Sequence, residues 1–436
     1  MFPVAAIAAL VASASGPRLR AQPDDFDQEP IGYSSATPHN RVSRLAARLR
    51  SGEWQPPTDD PRAFLAEVLR ALEVPIESQV LVFSKTSHQN SRIAPRTPRA
   101  LYFSDDCWVG WVQGGDVELA CADPALGTVF YLLSGRHEAR PRFERTASCL
   151  SCHASSRTDR VPGLLVRSVY PDAAGFPILS RGSFTTRPSS PLEERWGGWY
   201  VTGIHGTHRH LGNGIAEQSG DGAELDVEAG ANRTSIAELF PVAPYLTDTS
   251  DIVALMVLEH EVAVHDALTR ASFNTRRAIW RQRELRRALE EPEDAPLEGS
   301  ALRAVEHEAE RVVAELLSSG EAPLRDEVRG SDAFRGAFLR GARRSRDGLS
   351  LRELDLRTRL FRHRLSFMIH APSFDALPDE IRTLVLERLV EVLTDETPAK
   401  EFRHLEERER AAILRIVADT KPKLPASWHA AVAALR

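Results

Sequence analysis

Two cysteines and a histidine stand within five consecutive residues, Cys149-Leu150-Ser151-Cys152-His153. This C-x-x-C-H pattern is the attachment signature of c-type haem. Two thiols separated by two residues add to the vinyl groups of one porphyrin, and the adjacent imidazole lies under the iron. No other stretch constrains the chain as strongly, because both thiols and the imidazole have to meet one ring. Zinc also takes C-x-x-C together with a histidine. A dithiol redox pair is a further use of C-x-x-C, but no helical pattern begins at the motif. The expectation is one covalent haem c on Cys149 and Cys152, with His153 as the proximal iron ligand. A zinc-stabilised structural protein is the alternative that needs no haem.

Covalent haem of this kind is attached outside the cytoplasmic membrane in bacteria, so the N-terminus bears on the reading. Val4 to Ala12 is an apolar run, VAAIAALVA, and Ala12-Ser13-Ala14 supplies an A-x-A cleavage site. The run is too short to span a bilayer and has the length of a signal peptide, although no Lys or Arg precedes it. The expectation is a signal peptide over 1–14, a periplasmic or otherwise exported protein, and no transmembrane anchor after cleavage. The formal net charge of −6 offers no basic excess to meet phosphates, which argues against nucleic acid as the main partner. Four cysteines are too few for a disulfide scaffold.

At 436 residues the chain has room for two or three domains. Residues 15–38 are rich in Pro, Asp and Gln and read as a linker. Residues 39–74 read as N-terminal helices, over 40–50 and 61–73. In the second, Phe64, Leu65, Val68, Leu69 and Leu72 share a face, with Asp59 or Asp60 as cap and Pro61 at the first helical position. Residues 75–245 read as an α+β haem-attachment region. Strands are predicted over 79–83, 101–103, 107–112, 117–121 and 129–133, with a hairpin turn at Gly114-Gly115. Pairing about that turn sets Cys107 opposite Cys121, either as a disulfide or as two small buried apolar residues. Strand patterns also follow the motif, over 163–170 and 178–184. The fold class expected is therefore α+β, a strand-rich haem-bearing region followed by a mainly helical one, and not an ordinary small all-α cytochrome c domain. In residues 246–436 a long helix is predicted from about 250 to about 290, capped by Asp248 or Ser250, buried in its first half and solvated in its second. Further helices are predicted over 299–318, 351–370, 378–395, 406–418 and 426–435.

A sixth iron ligand would be His or Met. His260 shares a helical stripe with Val253, Val257, Val264 and Ala267; the plain alternative is a core histidine. His265 lies about 140° further round that helix, so the two do not converge on one iron. The candidates are His260 first and His210 second, followed by His205 and Met256. His208, His265 and Met368 complete the set considered. Arg142, Arg145, Arg157, Arg160 and Arg167 lie near the motif in sequence, and one or two of them are suited to pair with haem propionates.

Several longer stretches carry a resemblance: QVLVFSKTSHQNSRIAPRTPRALYF, LGTVFYLL, SCLSCHASS followed by VPGLLVRSVYPD, ERWGGWYVTGIHGTHRHLGN, LMVLEHEVAVHDALTRASF and FDALPDEIRTLVLERLVEVL. Together they resemble a group of exported bacterial proteins that carry a single C-x-x-C-H and are described as cytochrome c-like. The resemblance covers most of the chain past residue 75. It implies covalent haem at Cys149 and Cys152 with His153 on the iron. It also sets Glu259-His260 and Arg209-His210 within segments of the group. There the Arg-His pair is often followed by Met, whereas this chain has Leu211. The function expected is electron transfer through the haem iron to an unknown redox partner protein. The alternatives are a haem peroxidase-like oxidoreductase, with His205, His210 or His260 and Glu259 as acid–base groups, and a haem-based redox or gas sensor.

Overall fold

The computed structural model describes residues 25–219 and 222–435; the signal peptide expected over 1–14 lies outside them. The described part of the expected linker is packed. Phe26, Ile31 and Tyr33 are buried, and Tyr33 Oη donates to the carbonyl of Thr128 at 2.9 Å. Three apolar side chains are enough to pin a stretch whose Pro and Asp content reads as loop.

Two helices follow, α1 (Arg41–Arg50) and α2 (Pro61–Ala71). Asn40 caps the first through a reciprocal exchange with Ser43, and Asp60 caps the second ahead of Pro61. The strands β1 (Val80–Val82), β2 (Arg99–Phe103), β3 (Cys107–Trp111), β4 (Val117–Asp123), β5 (Gly127–Ser134), β6 (Arg142–Arg145) and β9 (Trp199–Tyr200) form one antiparallel sheet in the order β6-β5-β4-β3-β2-β1-β9. Strands β7 (Val166–Val169) and β8 (Ser183–Thr186) pair separately. A small hairpin joins Glu217–Ser219 to Gly222–Glu224.

The sheet register fixes which residues share a face, because successive side chains alternate. Leu101 lies opposite Gly110, Gly110 opposite Glu118, and Glu118 opposite Leu132; Trp108, Ala120 and Phe130 form the next row on that face. Tyr131, Leu133 and Phe143 lie on the other face. They meet the N-terminal segment, where Asn40 Nδ2 donates to Tyr131 Oη and Trp54 packs on Phe143. Cys107 and Cys121 face each other across β3 and β4 and are bridged. The bridge closes a segment of 14 residues, so replacing both with alanine is expected to cost about 3 kcal/mol. Denaturant unfolding of the double variant checks this.

The first face is covered by α4 (Ile252–Ala288), 37 residues long. From Ile252 to Phe273 it is buried, and its remainder is mostly solvated, as the charge pattern predicts. Its cap is Asp251, whose Oδ1 accepts from the backbone of Val253 and Ala254. Ser250, an expected cap, instead donates to the Tyr200 carbonyl and accepts from Leu81 N–H. No helix among the described residues is long and apolar enough to cross a membrane; α4 carries Glu259, Glu261, Asp266 and Arg270 inside its buried half.

The helical region adds α5 (Gly299–Leu316), α6 (Asp332–Arg340), α7 (Pro372–Asp375), α8 (Asp379–Thr394), α9 (Glu407–Thr420) and α10 (Ala426–Ala434). The helix predicted over 351–370 does not form. Asp355 Oδ1 captures the N–H groups of Arg357 and Thr358, and Leu356 takes a positive φ of 60°. An Asp side chain bonding the backbone ahead of it competes directly with a helix. Helix α6 has no counterpart in the sequence expectations. Its signal was Ser331, whose hydroxyl accepts from Phe334 N–H.

Candidate functional site

The motif folds as one helical turn, α3 (Leu150–His153), with His153 N–H bonded to the Cys149 carbonyl at 2.9 Å. A single turn gives the C-x-x-C-H spacing its meaning, since positions i, i+3 and i+4 share a side of a helix. Cys149, Cys152 and His153 hold those positions. Both thiols are free; Cys152 is exposed and Cys149 half-buried. Burial pushes the Cys149 thiol up to about 11 and the His153 imidazole down to about 4, so both are neutral at pH 7.

The imidazole of His153 is held from one side. Its Nδ1 lies 3.0 Å from the Gly163 carbonyl, while the His153 carbonyl accepts from Gly163 N–H at 2.8 Å. A neutral imidazole with Nδ1 donating to a carbonyl carries its lone pair on Nε2, the atom available to a metal. The ring packs on Phe130 with centroids 4.9 Å apart.

The peptide unit that accepts from His153 is itself anchored. Its other end, Leu164 N–H, donates to Asp266 Oδ1 of α4 at 2.9 Å. Residue 163 has to be glycine for this approach, because a Cβ there would stand 2.4 Å from Asp266 Oδ1. The buried helix thus fixes the orientation of His153 through one peptide. Asp266 and Gly163 were not legible as site residues. The Gly after Val161-Pro162 was the visible signal, and only the fold supplies its partner.

Beside the motif lies the part of the first sheet face around Gly110. Arg99 extends over this glycine, where a Cβ would come within 2.6 Å of its guanidinium, and pairs with Glu118 at 2.5 Å. Glu118 Oε1 also accepts from Ser87 Oγ and Gln89 Nε2. The charges of Arg99 and Glu118 act on both Cys149 and His153. The exposed His88 falls between Ser87 and Gln89 in the chain. Sequence proximity to the motif could not find Arg99, Glu118 or His88, which lie 31 to 61 residues before Cys149.

Of the five arginines near the motif in sequence, Arg167 is half-buried, and burial, with the Arg157 charge adding, holds its guanidinium below the usual range. It donates to Ser183 Oγ at 3.0 Å, and its Nε is buried without a partner. Arg145 is committed to the carbonyls of Tyr33 and Ala36, Arg142 pairs with Glu144, and Arg157 and Arg160 are exposed.

The sixth-ligand candidates divide between two other places. His260 Nε2 is 2.7 Å from Ser366 Oγ, and its ring packs on Phe361 and Phe367. Burial pushes it down to about 3. His210 and His205 form a buried pair with ring centroids 4.7 Å apart, beside Trp196. His210 Nδ1 accepts from Gly212 N–H and His205 Nε2 from Asn232 N–H; His210 Nε2 and His205 Nδ1 have no partner. His208 Nε2 accepts from the backbone of Arg325 and Asp326. Met256 and Met368 are buried in the hydrophobic core. Glu259 is buried against Arg195 at 2.7 Å.

His265 turns away from His260, as the helical angle predicts. It packs on Trp108, and its Nε2 is 2.9 Å from Thr128 Oγ1. Burial holds it at about 4. A histidine depressed below its unfolded value of about 6.5 contributes stability above that pH and loses it as pH falls toward the folded value. Between pH 7.5 and 5, His265 accounts for a loss of about 2 kcal/mol. His265→Gln is expected to remove that share from the pH dependence of unfolding, measured by denaturant titration at the two pH values.

Among the described residues, no three His, Cys, Asp or Glu side chains converge as ligands for a metal ion. No family model, no curated protein and no solved structure matches the chain.

Proposed function

We propose that this chain is an exported c-type haem protein that passes single electrons, with haem attached through Cys149 and Cys152 and His153 on the iron. The observation that carries the reading is His153 itself. It stands at the end of the one-turn helix, Nδ1 committed to Gly163, Nε2 left free, and two free thiols at the matching positions. The donor set fits the group; the sheet surface at Gly110 beside it is covered by the Arg99 guanidinium.

When bound, the haem supplies a one-electron couple at its iron. The chain's own residues supply the rest. Asp266 and the Gly163–Leu164 peptide hold the imidazole in one tautomer and orientation. Burial keeps His153 unprotonated at neutral pH. Arg99 and Arg167 are the cations suited to haem carboxylates, Arg99 by exchanging Glu118 for a propionate.

A second reading is a peroxidase-like oxidoreductase, with the buried His205, His210 and Glu259 as its acid–base candidates. Each has one atom without a partner, as an acid–base site awaiting a reactant would. The test is a visible spectrum, oxidised and dithionite-reduced, of protein exported in a host with c-type haem maturation. Sharp reduced bands and haem that stays with the denatured chain are expected. A six-coordinate low-spin spectrum supports electron transfer, and a high-spin one that shifts with peroxide supports the second reading. A colourless protein would sink both. His260→Gln is expected to leave the spectrum unchanged, since Ser366 already occupies its Nε2. A spectrum altered by His210→Gln or His88→Gln instead would identify the sixth ligand.

A further inference from the structure

Away from the motif, at the turn between β2 and β3, a cavity of about 560 Å³ opens between the sheet and the helical region. Its size falls in the range of small-molecule sites. One wall is aromatic, from Phe103, Phe338 and Phe367. The guanidinium of Arg352 covers this wall, 4.3 Å from the Phe367 centroid and 4.8 Å from that of Phe338, and pairs with Asp105. At the rim, Arg343 is exposed and has no hydrogen-bond or ion-pair partner among the described residues.

The polar group that distinguishes this cavity is Glu261. It lines the space, is 1% exposed, and its Oε2 is buried without a partner. Burial, with Asp105 adding, holds its carboxyl well above the usual range, and Arg352 opposes this only in part. A buried polar atom left unpaired costs stability unless something meets it. The haem reading uses neither Glu261 nor the cavity.

We propose that this cavity binds a small aromatic carboxylate bearing a hydroxyl. The ligand ring stacks on the outer face of the Arg352 guanidinium, its carboxylate meets Arg343, and its hydroxyl pairs with the orphaned oxygen of Glu261. Each element of the ligand answers one element of the site: cation for anion, guanidinium face for ring, unpaired oxygen for hydroxyl. The inference is independent of the haem reading, because no motif residue takes part.

The test is calorimetric titration of the purified full-length protein with 4-hydroxybenzoate, benzoate and phenol. The expected result is saturable one-to-one binding of 4-hydroxybenzoate, with benzoate roughly tenfold weaker for want of the hydroxyl. Arg343→Gln, at an exposed position that leaves the fold intact, is expected to weaken both carboxylates roughly tenfold while leaving phenol unaffected. Glu261→Met, which removes the acceptor oxygen, is expected to narrow the gap between 4-hydroxybenzoate and benzoate. No saturable binding below roughly 5 mM, or affinities that Arg343→Gln leaves unchanged, would overturn the proposal.

Discussion

Changing Cys149 and Cys152 together to alanine is expected to abolish covalent haem, so that no haem-stained band remains with the denatured chain. The same change should leave the fold in place. Cys152 is exposed and Cys149 half-buried, and neither thiol carries the sheet or α4. Against haem-free wild type, the unfolding free energy should move by no more than about 1 kcal/mol, the usual scale for a small truncation outside the core. His153→Ala makes the complementary case. The thiols remain to attach the ring, but the free Nε2 is gone, and the spectrum should lose the features of histidine ligation. Haem that stays covalently bound to the double cysteine variant would refute the attachment proposed here. A variant that fails to fold would instead mean that the turn at 149–153 is structural.

The second large effect concerns stability. Arg195→Met is expected to lower the unfolding free energy by about 3–5 kcal/mol, because it leaves Glu259 buried without its cation. Arg195 is 3% exposed and Glu259 1%. The arginine also donates to the carbonyls of Pro188 and Ser190, so its loss loosens the segment leading to Trp196 and the histidine pair. Burial already raises the Glu259 carboxyl and Arg195 opposes that rise. Without Arg195 the carboxyl rises further and takes up a proton more readily, which bounds the loss. Replacing both partners, Arg195→Met with Glu259→Leu, should recover most of the difference, since paired apolar substitutes carry no stranded charge. Denaturant curves for the single and double variants measure it; equal losses in both would show that packing, not charge, holds this segment.

Local pattern made the sheet legible. Alternation over 107–112 and 117–121 with Gly114-Gly115 between them predicts the β3–β4 hairpin and the facing cysteines, and both are present. The helix around Phe64 and Leu65, the long helix after 250 and the helices at 378–395 and 406–418 were equally plain from their spacing. Failures came where a side chain redirected the backbone. Asp355 turned a helix-like stretch at 351–370 into loops, and Phe26, Ile31 and Tyr33 anchored a segment with the composition of a linker. At the site, the motif named its own three residues. Asp266, Arg99 and Glu118 were invisible beside it, because their roles come from register and helix docking rather than from spacing. The surroundings of His260, a hydroxyl and two phenylalanines, likewise come from residues about 100 positions later.

The bridge between Cys107 and Cys121 has a consequence for how such a protein is assembled. If haem is attached at Cys149 and Cys152, one chain must carry an oxidised pair and a reduced pair through the same compartment. Thiolate attack on a disulfide sulfur requires access. Cys107 and Cys121 are 0% exposed, beneath strands that hold them in register. Once the hairpin closes, the exposed Cys152 has no path to them, and exchange between the two pairs stops. Because the bridged pair is 14 residues apart and local to one hairpin, it can form before the motif reaches the sheet. Order of folding thus sorts four identical thiols into two fates, and a chain whose hairpin closes late is the one expected to accumulate as scrambled, haem-free protein.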